Sequence, residues 1–222
     1  MESMNEVFEA LKSDLLDKQG VISMDLAGIS LDIRAKDIIG NSLQEWIGSW
    51  FSEKGITYRV LKNSQEFPDY IITFDDIESY LEIKSFNYDK GPAFDLANFN
   101  SYIDSLEKNP KKIDADYLIL GYSSNSKGFV VKQIFLKKIW EMSGESTVDP
   151  LKIQNKKGIV YNIRPMTFYK KPNSTFKNRS EFLKGLTETK RKYSNQGTEI
   201  SDIDQWEKAI ITEYYNLTGK KL

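Results

Sequence analysis

Hydrophobic positions along the chain follow two periods, one near 3.6 residues and one of two residues. The helical period covers residues 4–18, 37–54, 93–108 and 202–217. Strand-like runs cover 56–62, 69–74, 79–86, 115–123 and 158–168, and a strand running into a helix covers 128–142. Residues 20–33 alternate around Gly28 and predict a hairpin. The pattern predicts the α/β fold class, with a mixed central sheet flanked by helices and additions at both ends.

Residues 37–123 predict the order helix–strand–strand–strand–helix–strand. The second and third of these strands, 69–74 and 79–86, are joined by the turn-prone stretch "DDIE". Such a short connection predicts that they pair antiparallel. Pro92 stands where the following helix, 93–108, is predicted to begin.

Three charged residues interrupt the apolar pattern of these two strands. Glu82 and Lys84 are two residues apart, so their side chains project from the same face, while Leu81 and Ile83 project into the core. Asp69 begins the neighbouring strand, and the short turn brings it beside the Glu82 end. Buried charges are costly unless they pair or hold a metal. The pattern predicts either a metal site or an ordinary surface hairpin with a Glu–Lys pair.

Composition narrows the chemistry that such a site can perform. The chain has 222 residues, enough for one sizeable core, and contains neither cysteine nor histidine. This excludes disulfides, cysteine nucleophiles, serine–histidine triads and histidine zinc hydrolases. Acid–base or metal chemistry must therefore use carboxylates, lysine, tyrosine or bound water, and carboxylate oxygens favour Mg²⁺, Mn²⁺ or Ca²⁺.

Charge and hydropathy indicate where the protein works and what it contacts. The longest apolar runs are strand-length, and the N-terminus begins acidic and amphipathic, so we expect a cytoplasmic protein without a membrane span. Residues 1–53 carry about ten acidic and four basic side chains, whereas 170–192 carry about eight basic and two acidic. The basic segment is typical of a polyanion-binding surface, although a solvated basic helix has the same composition.

The motif and the element order together resemble the PD-(D/E)xK nuclease superfamily. The matching residues are Pro68-Asp69 and Glu82-Ile83-Lys84. The resemblance implies a restriction-endonuclease-like core and phosphodiester hydrolysis, with Mg²⁺, or Mn²⁺ in its place, bound by Asp69 and Glu82. Lys84 completes the implied catalytic site. Many members add an acidic residue on the preceding helix, and Glu45 is the natural match here, with a solvated helix carboxylate as the alternative.

Within the superfamily the chain most resembles type II restriction endonucleases of the EcoRV kind. The resemblance lies in the order and spacing of the predicted elements over residues 4–123. EcoRV has Asp where Glu82 stands. The stretch "KSFNYDKGPAFDLANFNSY" resembles the NgoBV/NlaIV group, whose target is GGNNCC. We therefore expect a single nuclease domain over 1–222, with an N-terminal helix and hairpin (1–36), a catalytic core (37–123) and DNA-binding and C-terminal additions (124–222).

Two segments are candidates for DNA binding. The polar loop after the motif strand offers Asn87, Tyr88 and Lys90, for which an ordinary strand-to-helix loop is the alternative. Lysines position phosphates, whereas Asn and Arg can read base edges in the major groove. The basic segment offers residues of these types, namely Lys170, Lys171, Asn173, Ser174, Lys177, Asn178 and Arg179.

The resemblance also implies partners. A palindromic double-stranded DNA target implies a two-fold symmetric homodimer, since each subunit cuts one strand. The N-terminal helix and hairpin are the first candidate for the dimer surface, and the apolar side of 202–217 is the second. A companion methyltransferase is expected in the cell but need not be bound. The alternatives are a structure-specific repair nickase or junction resolvase with the same core, and a non-catalytic DNA-binding module.

Overall fold

The computed structural model describes residues 1–33, 38–62, 66–197, 200 and 202–222. Residues 34–36 of the predicted N-terminal region and residue 37, the predicted start of the second helix, lie outside the described residues. The chain divides into two compact units. The first unit comprises Met1–Pro92 and Asp116–Lys137, and the second comprises Ala93–Ala115 and Lys138–Leu222. The assignment of the whole chain to one nuclease domain stays a prediction.

Where the structure describes it, the first unit contains a six-stranded sheet, a separate hairpin and two α-helices. Their bounds are α1 (Met4–Leu15), β1 (Gln19–Gly20), β2 (Ser23–Leu26), β3 (Ile29–Asp32), α2 (Ile39–Glu53), β4 (Tyr58–Arg59), β5 (Tyr70–Phe74), β6 (Ile77–Asn87), β8 (Asp116–Asn125) and β9 (Gly128–Lys138). The strand order in the sheet is β1-β9-β8-β6-β5-β4. β5 and β6 pair antiparallel, whereas β6 and β8 pair parallel, so the predicted mixed sheet is confirmed.

Apolar stripes with the helical period hold α1 and α2 against this sheet. Val7 and Leu11 of α1 are buried in one cluster with Leu43 and Ile47 of α2 and Leu81 of β6. Burying one such side chain contributes about 1.5–3 kcal/mol, so these stripes hold the two helices in place. The helix that precedes the motif strands is therefore fixed to them by core packing.

In its described residues, the second unit contains a three-stranded sheet and three α-helices. Their bounds are β7 (Ala97–Asn98), α3 (Phe99–Lys108), β10 (Ile153–Lys156), β11 (Ile159–Ile163), α4 (Arg179–Lys192) and α5 (Ile203–Thr218). The strand order in this sheet is β10-β11-β7. The helix predicted over 202–217 is confirmed as α5. Among the described residues, no helix has both the length and the apolar content that a membrane span needs.

Two predicted helix boundaries were wrong. The helix predicted over 93–108 begins at Phe99, because Ala97 and Asn98 pair with β11 and the Asn98 side chain caps the helix by accepting from Ser101 N at 3.0 Å. The helix predicted at the end of 128–142 is a short 3₁₀ turn, Ile139–Glu141, which follows β9.

Two strand predictions also need correction. The strand predicted over 56–62 is shorter in the structure, where only Tyr58–Arg59 form a strand that pairs with β5. The strand Ile153–Lys156 was not predicted, and it pairs antiparallel with β11 across a turn in which Gly158 has φ +84°. This strand has no alternating apolar pattern from which it could be predicted, since only one of its four residues is apolar.

Candidate active site

A tight turn sets the register of the two motif strands. Asp75 and Asp76 both have positive φ, 46° and 62°, as a two-residue type I′ hairpin turn requires, and aspartate tolerates this region better than most residues. The ladder between β5 and β6 reaches Tyr70. The residue before it, Asp69, therefore lies across from Glu82.

Hydrogen bonds lock these two residues together. Asp69 Oδ2 accepts from the backbone N–H of Ile83 at 2.7 Å, and Glu82 Oε2 accepts from the backbone N–H of Asp69 at 3.2 Å. Each carboxylate is thus held by the backbone of the other strand. The two acidic groups lie side by side at one end of the hairpin, as the sequence predicted.

Lys84 completes the cluster. Its Nζ donates to Glu82 Oε1 at 2.7 Å, and its side chain keeps 22% of its accessible surface, against 11% for Glu82. On the opposite face of the strand, Leu81 is fully buried and Ile83 nearly so. The alternation of β6 therefore gives one apolar face and one charged face, and the structure brings Asp69, Glu82 and Lys84 together. Their chemical roles stay predictions.

Burial changes the protonation of both carboxyl groups. Desolvation raises the pKa of Glu82 to about 7; the Lys84 ammonium opposes the rise and the negative charge of Asp69 adds to it. Desolvation also raises the pKa of Asp69, against the hydrogen bond from Ile83 and the charge of Lys84. A site that holds two carboxylates away from water beside one ammonium leaves negative charge only partly compensated, which favours a bound cation.

The donor set fits Mg²⁺. This ion keeps several waters and binds proteins through one or two carboxylates together with substrate phosphates, so Asp69 and Glu82 suffice. Within the described parts of the chain, no group of three or more Asp, Glu, His or Cys residues is placed to hold a metal. Glu45 is exposed on α2 and does not complete a third carboxylate in such a group, so its metal role stays a prediction.

Gln44 of α2 contacts Asp69. The sequence did not predict this contact. The Nε2 of Gln44 donates to Asp69 Oδ1 at 2.8 Å. Its backbone carbonyl accepts from the hydroxyl of Tyr70 at 2.7 Å. The signal was present in the helical period, because Gly40, Gln44 and Gly48 recur every fourth residue and form a stripe that faces the strands.

The loop after β6 is a tight turn. The backbone N–H groups of Lys90 and Gly91 both donate to the carbonyl of Asn87 at 3.1 Å, and the Asn87 side chain accepts from Asp89 N at 3.1 Å. Asn87 therefore shapes the loop, and the side chain of Lys90 is exposed. Tyr88 is half-buried, with its backbone bonded to Tyr122 of β8. Contact of this loop with DNA stays a prediction.

The basic segment divides into exposed lysines and residues with structural partners. Lys170, Lys171, Asn173 and Lys177 are exposed. Among the others, the Ser174 hydroxyl donates to Lys171 O at 2.7 Å.

The residues at the start of α4 have partners within the second unit. The Asn178 side chain caps the helix by accepting from Glu181 N at 2.9 Å. Arg179 pairs with Asp114 at 3.1 Å, and its guanidinium lies 5.3 Å from the ring centres of Trp140 and Tyr214. Reading of base edges by these two residues stays a prediction, and each already has a structural contact.

Comparison with known proteins places this chain in a family. The family model described as NgoBV restriction endonuclease matches residues 1–222. The chain belongs to the NgoBV restriction endonuclease family. The type II restriction enzyme NlaIV of Neisseria lactamica is 34% identical over 200 residues, covering 87% of this chain and 82% of that enzyme. The type II restriction enzyme NgoBV of Neisseria gonorrhoeae is 32% identical over 143 residues, covering 62% and 81%.

A solved structure supports the same assignment. The NlaIV restriction endonuclease superposes with a TM-score of 0.88 at 28% identity, covering all of this chain and 92% of that one. The predicted PD-(D/E)xK-like fold class is therefore confirmed, and so is the resemblance to the NgoBV/NlaIV group. This family member is a type II restriction endonuclease, as the sequence predicted.

Proposed function

We propose that this enzyme is a Mg²⁺-dependent endonuclease that makes sequence-specific double-strand breaks in DNA by phosphodiester hydrolysis. The observation that carries the proposal is the convergence of Asp69, Glu82 and Lys84 on the charged face of one hairpin end, where Glu82 is buried. Family membership supports cleavage of DNA at specific sequences. Mn²⁺ has similar oxygen preferences and is expected to substitute for Mg²⁺.

Each residue has a distinct task in this proposal. Asp69 and Glu82 hold the metal, which when bound polarises the scissile phosphate and lowers the pKa of a bound water. Glu82 must release its proton before it can bind a cation, so metal affinity rises as pH passes about 7. As an ammonium, Lys84 donates a hydrogen bond to the phosphate oxygen on which negative charge develops; as the neutral amine, it would orient the attacking water and accept its proton. Glu45 remains a candidate further ligand on α2.

DNA contacts are assigned to the exposed basic side chains. Lys90 of the loop after β6 and Lys170, Lys171 and Lys177 of the basic segment are exposed, so each can approach phosphates. Lys170 also lies over the ring of Tyr169, with its Nζ 5.3 Å from the ring centre. Tyr88 and the polar residues Asn87, Asn173, Ser174, Asn178 and Arg179 complete the candidate DNA-binding set. The substrate is a double-stranded, palindromic site, and GGNNCC, which the resemblance implies, is the first sequence to test.

We assign the homodimer surface to the hairpin β2–β3. Its register pairs Met24 with Leu31 and Leu26 with Ile29, so four apolar side chains lie on one face, each between 41% and 67% exposed. An isolated two-stranded hairpin is only marginally stable, so we infer that burying this apolar face against a partner stabilises it. The acidic bias of residues 1–53 keeps this region away from phosphates, and a second copy is the partner that a palindromic target requires.

Sedimentation of the wild type against Leu26→Ser/Ile29→Ser tests this surface. We expect a wild-type dimer and a folded, monomeric variant, and a variant that sediments as the wild-type dimer would remove the hairpin from the interface.

Digestion of unmethylated phage DNA tests the main proposal. We expect discrete bands from the wild type with Mg²⁺, no cutting with EDTA, and no cutting by Lys84→Ala. Nicked product without double-strand breaks would favour a repair nickase or resolvase, and metal-independent DNA binding without cutting would favour a binding module. Protection by methylation of the same site would identify the specificity of the companion methyltransferase. The cytoplasmic location stays a prediction.

A further inference from the structure

Beside its apolar stripe, α2 carries a second stripe that approaches the motif strands, made of Gly40, Gln44 and Gly48. A Cβ atom added to Gly48 would lie 2.7 Å from the hydroxyl oxygen of Tyr70, and one added to Gly40 would lie 3.0 Å from Ser85 Oγ. The two glycines therefore let the helix backbone approach β5 and β6 closely. Gln44 is the long side chain in this stripe, and the close approach is what lets its amide reach the site.

The backbone of Gln44 is fixed as firmly as its side chain. The hydroxyl of Tyr70 donates to Gln44 O at 2.7 Å, and Tyr70 is only 5% exposed. Its ring packs edge-on against Phe51 and Tyr58, with centroids 5.3 and 5.4 Å away. Tyr70 directly follows Asp69 in the chain, so its hydrogen bond ties α2 to the strand next to Asp69.

The amide of Gln44 completes the constraint on Asp69. Asp69 Oδ2 accepts from Ile83 N at 2.7 Å, and Oδ1 accepts from Gln44 Nε2 at 2.8 Å. An ionised carboxylate only accepts hydrogen bonds, so the glutamine presents its NH₂ group to it. With one donor on each oxygen, the carboxylate plane cannot rotate without breaking a hydrogen bond.

We propose that Gln44 is a positioning residue, which holds the Asp69 carboxylate in the orientation that receives the metal. The proposal rests on the proposed function of Asp69 as a metal ligand. Glutamine suits this task because it supplies a donor without adding charge to a site where Asp69 and Glu82 already repel each other. Glu45, the acidic neighbour, lies about 100° further around the helix and is exposed, so it does not share this stripe.

Calorimetric measurement of Mn²⁺ binding in the absence of DNA distinguishes a positioning role of Gln44 from a role in packing alone. Gln44→Met keeps the length of the side chain and removes the donor. We expect its Mn²⁺ affinity to fall by roughly 10- to 100-fold, the usual effect of losing a hydrogen bond to a metal ligand. Asn41→Ala, which removes an exposed amide from the same helix, should bind Mn²⁺ like the wild type.

Cleavage kinetics give the second measurement. Positioning predicts that Gln44→Met lowers kcat and leaves the KM for DNA and the melting temperature nearly unchanged. Wild-type Mn²⁺ affinity in Gln44→Met would overturn the proposal. So would a loss of affinity in Glu45→Gln with none in Gln44→Met, since the ligand on α2 would then be the carboxylate. If Gln44→Met does not fold, Gln44→Ala is measured in the same two ways.

Asp69→Asn distinguishes failure of this proposal from failure of the proposed function. If Asp69→Asn loses Mn²⁺ binding and Gln44→Met does not, only the positioning role is wrong. If Asp69→Asn binds Mn²⁺ and cuts DNA as well as the wild type, the metal site lies elsewhere and both proposals are wrong.

Discussion

Two regions of this enzyme are rich in charged and polar residues, and they use them differently. At the end of the β5–β6 hairpin, Asp69, Glu82 and Lys84 have one another as partners and share one small volume. At the start of α4, Arg179 is occupied by an aspartate and two aromatic rings within the second unit. The first arrangement leaves charge to be compensated by a ligand, whereas the second is already complete. A cluster of charged residues therefore indicates a ligand-binding function where the protein itself does not neutralise the charge. Where ion pairs within the protein do neutralise it, the charged residues have a structural role.

The largest expected effect is loss of cleavage when the hairpin cluster is changed. Glu82→Gln keeps the shape of the side chain and removes the negative charge, so we expect DNA cleavage to fall by roughly 10³-fold or more. Glu78→Gln is the matched control, because Glu78 lies on the same strand, is exposed and pairs with Arg59 at the surface. Rates of plasmid cleavage under single-turnover conditions provide the measurement. Equal losses in both variants would mean that the strand, not the cluster, is what matters.

The same substitution should change how stability depends on pH in metal-free protein. The pKa of Glu82 is raised to about 7 in the folded state from an ordinary value near 4.5, so the folded protein binds the proton more tightly than the unfolded chain. The stabilisation is therefore fully present below about pH 4.5 and is lost as pH rises through about 7.

Urea denaturation between pH 5 and pH 9 measures this dependence. We expect the wild type to lose stability over that range in EDTA, and Glu82→Gln to lose less and to be the more stable protein at pH 9. Metal should reverse the order, because only the wild type can bind it. Parallel curves for the two proteins in EDTA would show that Glu82 titrates normally.

The hairpin cluster could be predicted because strand geometry is regular. Alternation places Glu82 and Lys84 on one face, and a two-residue turn leaves almost no freedom in where Asp69 lies. Gln44 could not be ranked from the sequence in the same way, since the stripe that it forms with Gly40 and Gly48 does not show which strand residue an uncharged side chain will contact. Its acidic neighbour Glu45 was predicted as the helix residue of the site because of its charge. Which of two adjacent helix residues faces a strand depends on the rotation of the helix about its axis.

Boundaries in the second unit were harder to predict for a different reason. Residues 93–98 have no strong preference against helix after Pro92, and pairing with β11, of Ala97 with Ile163 and of Asn98 with Asn162, keeps the chain extended there. Arg179 shows the same limit. Its aspartate and aromatic partners are 35 or more positions away in sequence, so composition alone made it appear to be a free base-reading residue.

An intermediate effect is expected on stability when Arg179 is removed. Arg179→Ala loses an ion pair that is partly buried and two cation–π contacts, which together should cost about 2 kcal/mol of unfolding free energy. Lys177→Ala, two residues earlier and exposed, should unfold like the wild type. Urea denaturation measures the stability of both variants, through the shift of the midpoint at an unchanged slope of free energy against urea concentration. Arg179→Ala with wild-type stability and altered site preference would instead make Arg179 a base-reading residue, and the two regions would no longer differ.

The smallest effect is expected from the exposed lysines of the basic segment. Lys170 and Lys171 are exposed, and a phosphate contact from each would release one counterion, so each alanine variant should reduce the slope of log affinity against log salt by about one. Fluorescence anisotropy in EDTA, with a duplex that carries the target and one that does not, should show equal weakening on both. Lys220→Ala, also exposed and in the same unit, is the control for a general change in charge. A weakening confined to the target duplex would mean that these lysines read bases, and an unchanged slope would remove the segment from the DNA surface. After either outcome Lys84 would be the better candidate for a phosphate contact, because its ion pair with Glu82 fixes the position of its ammonium group.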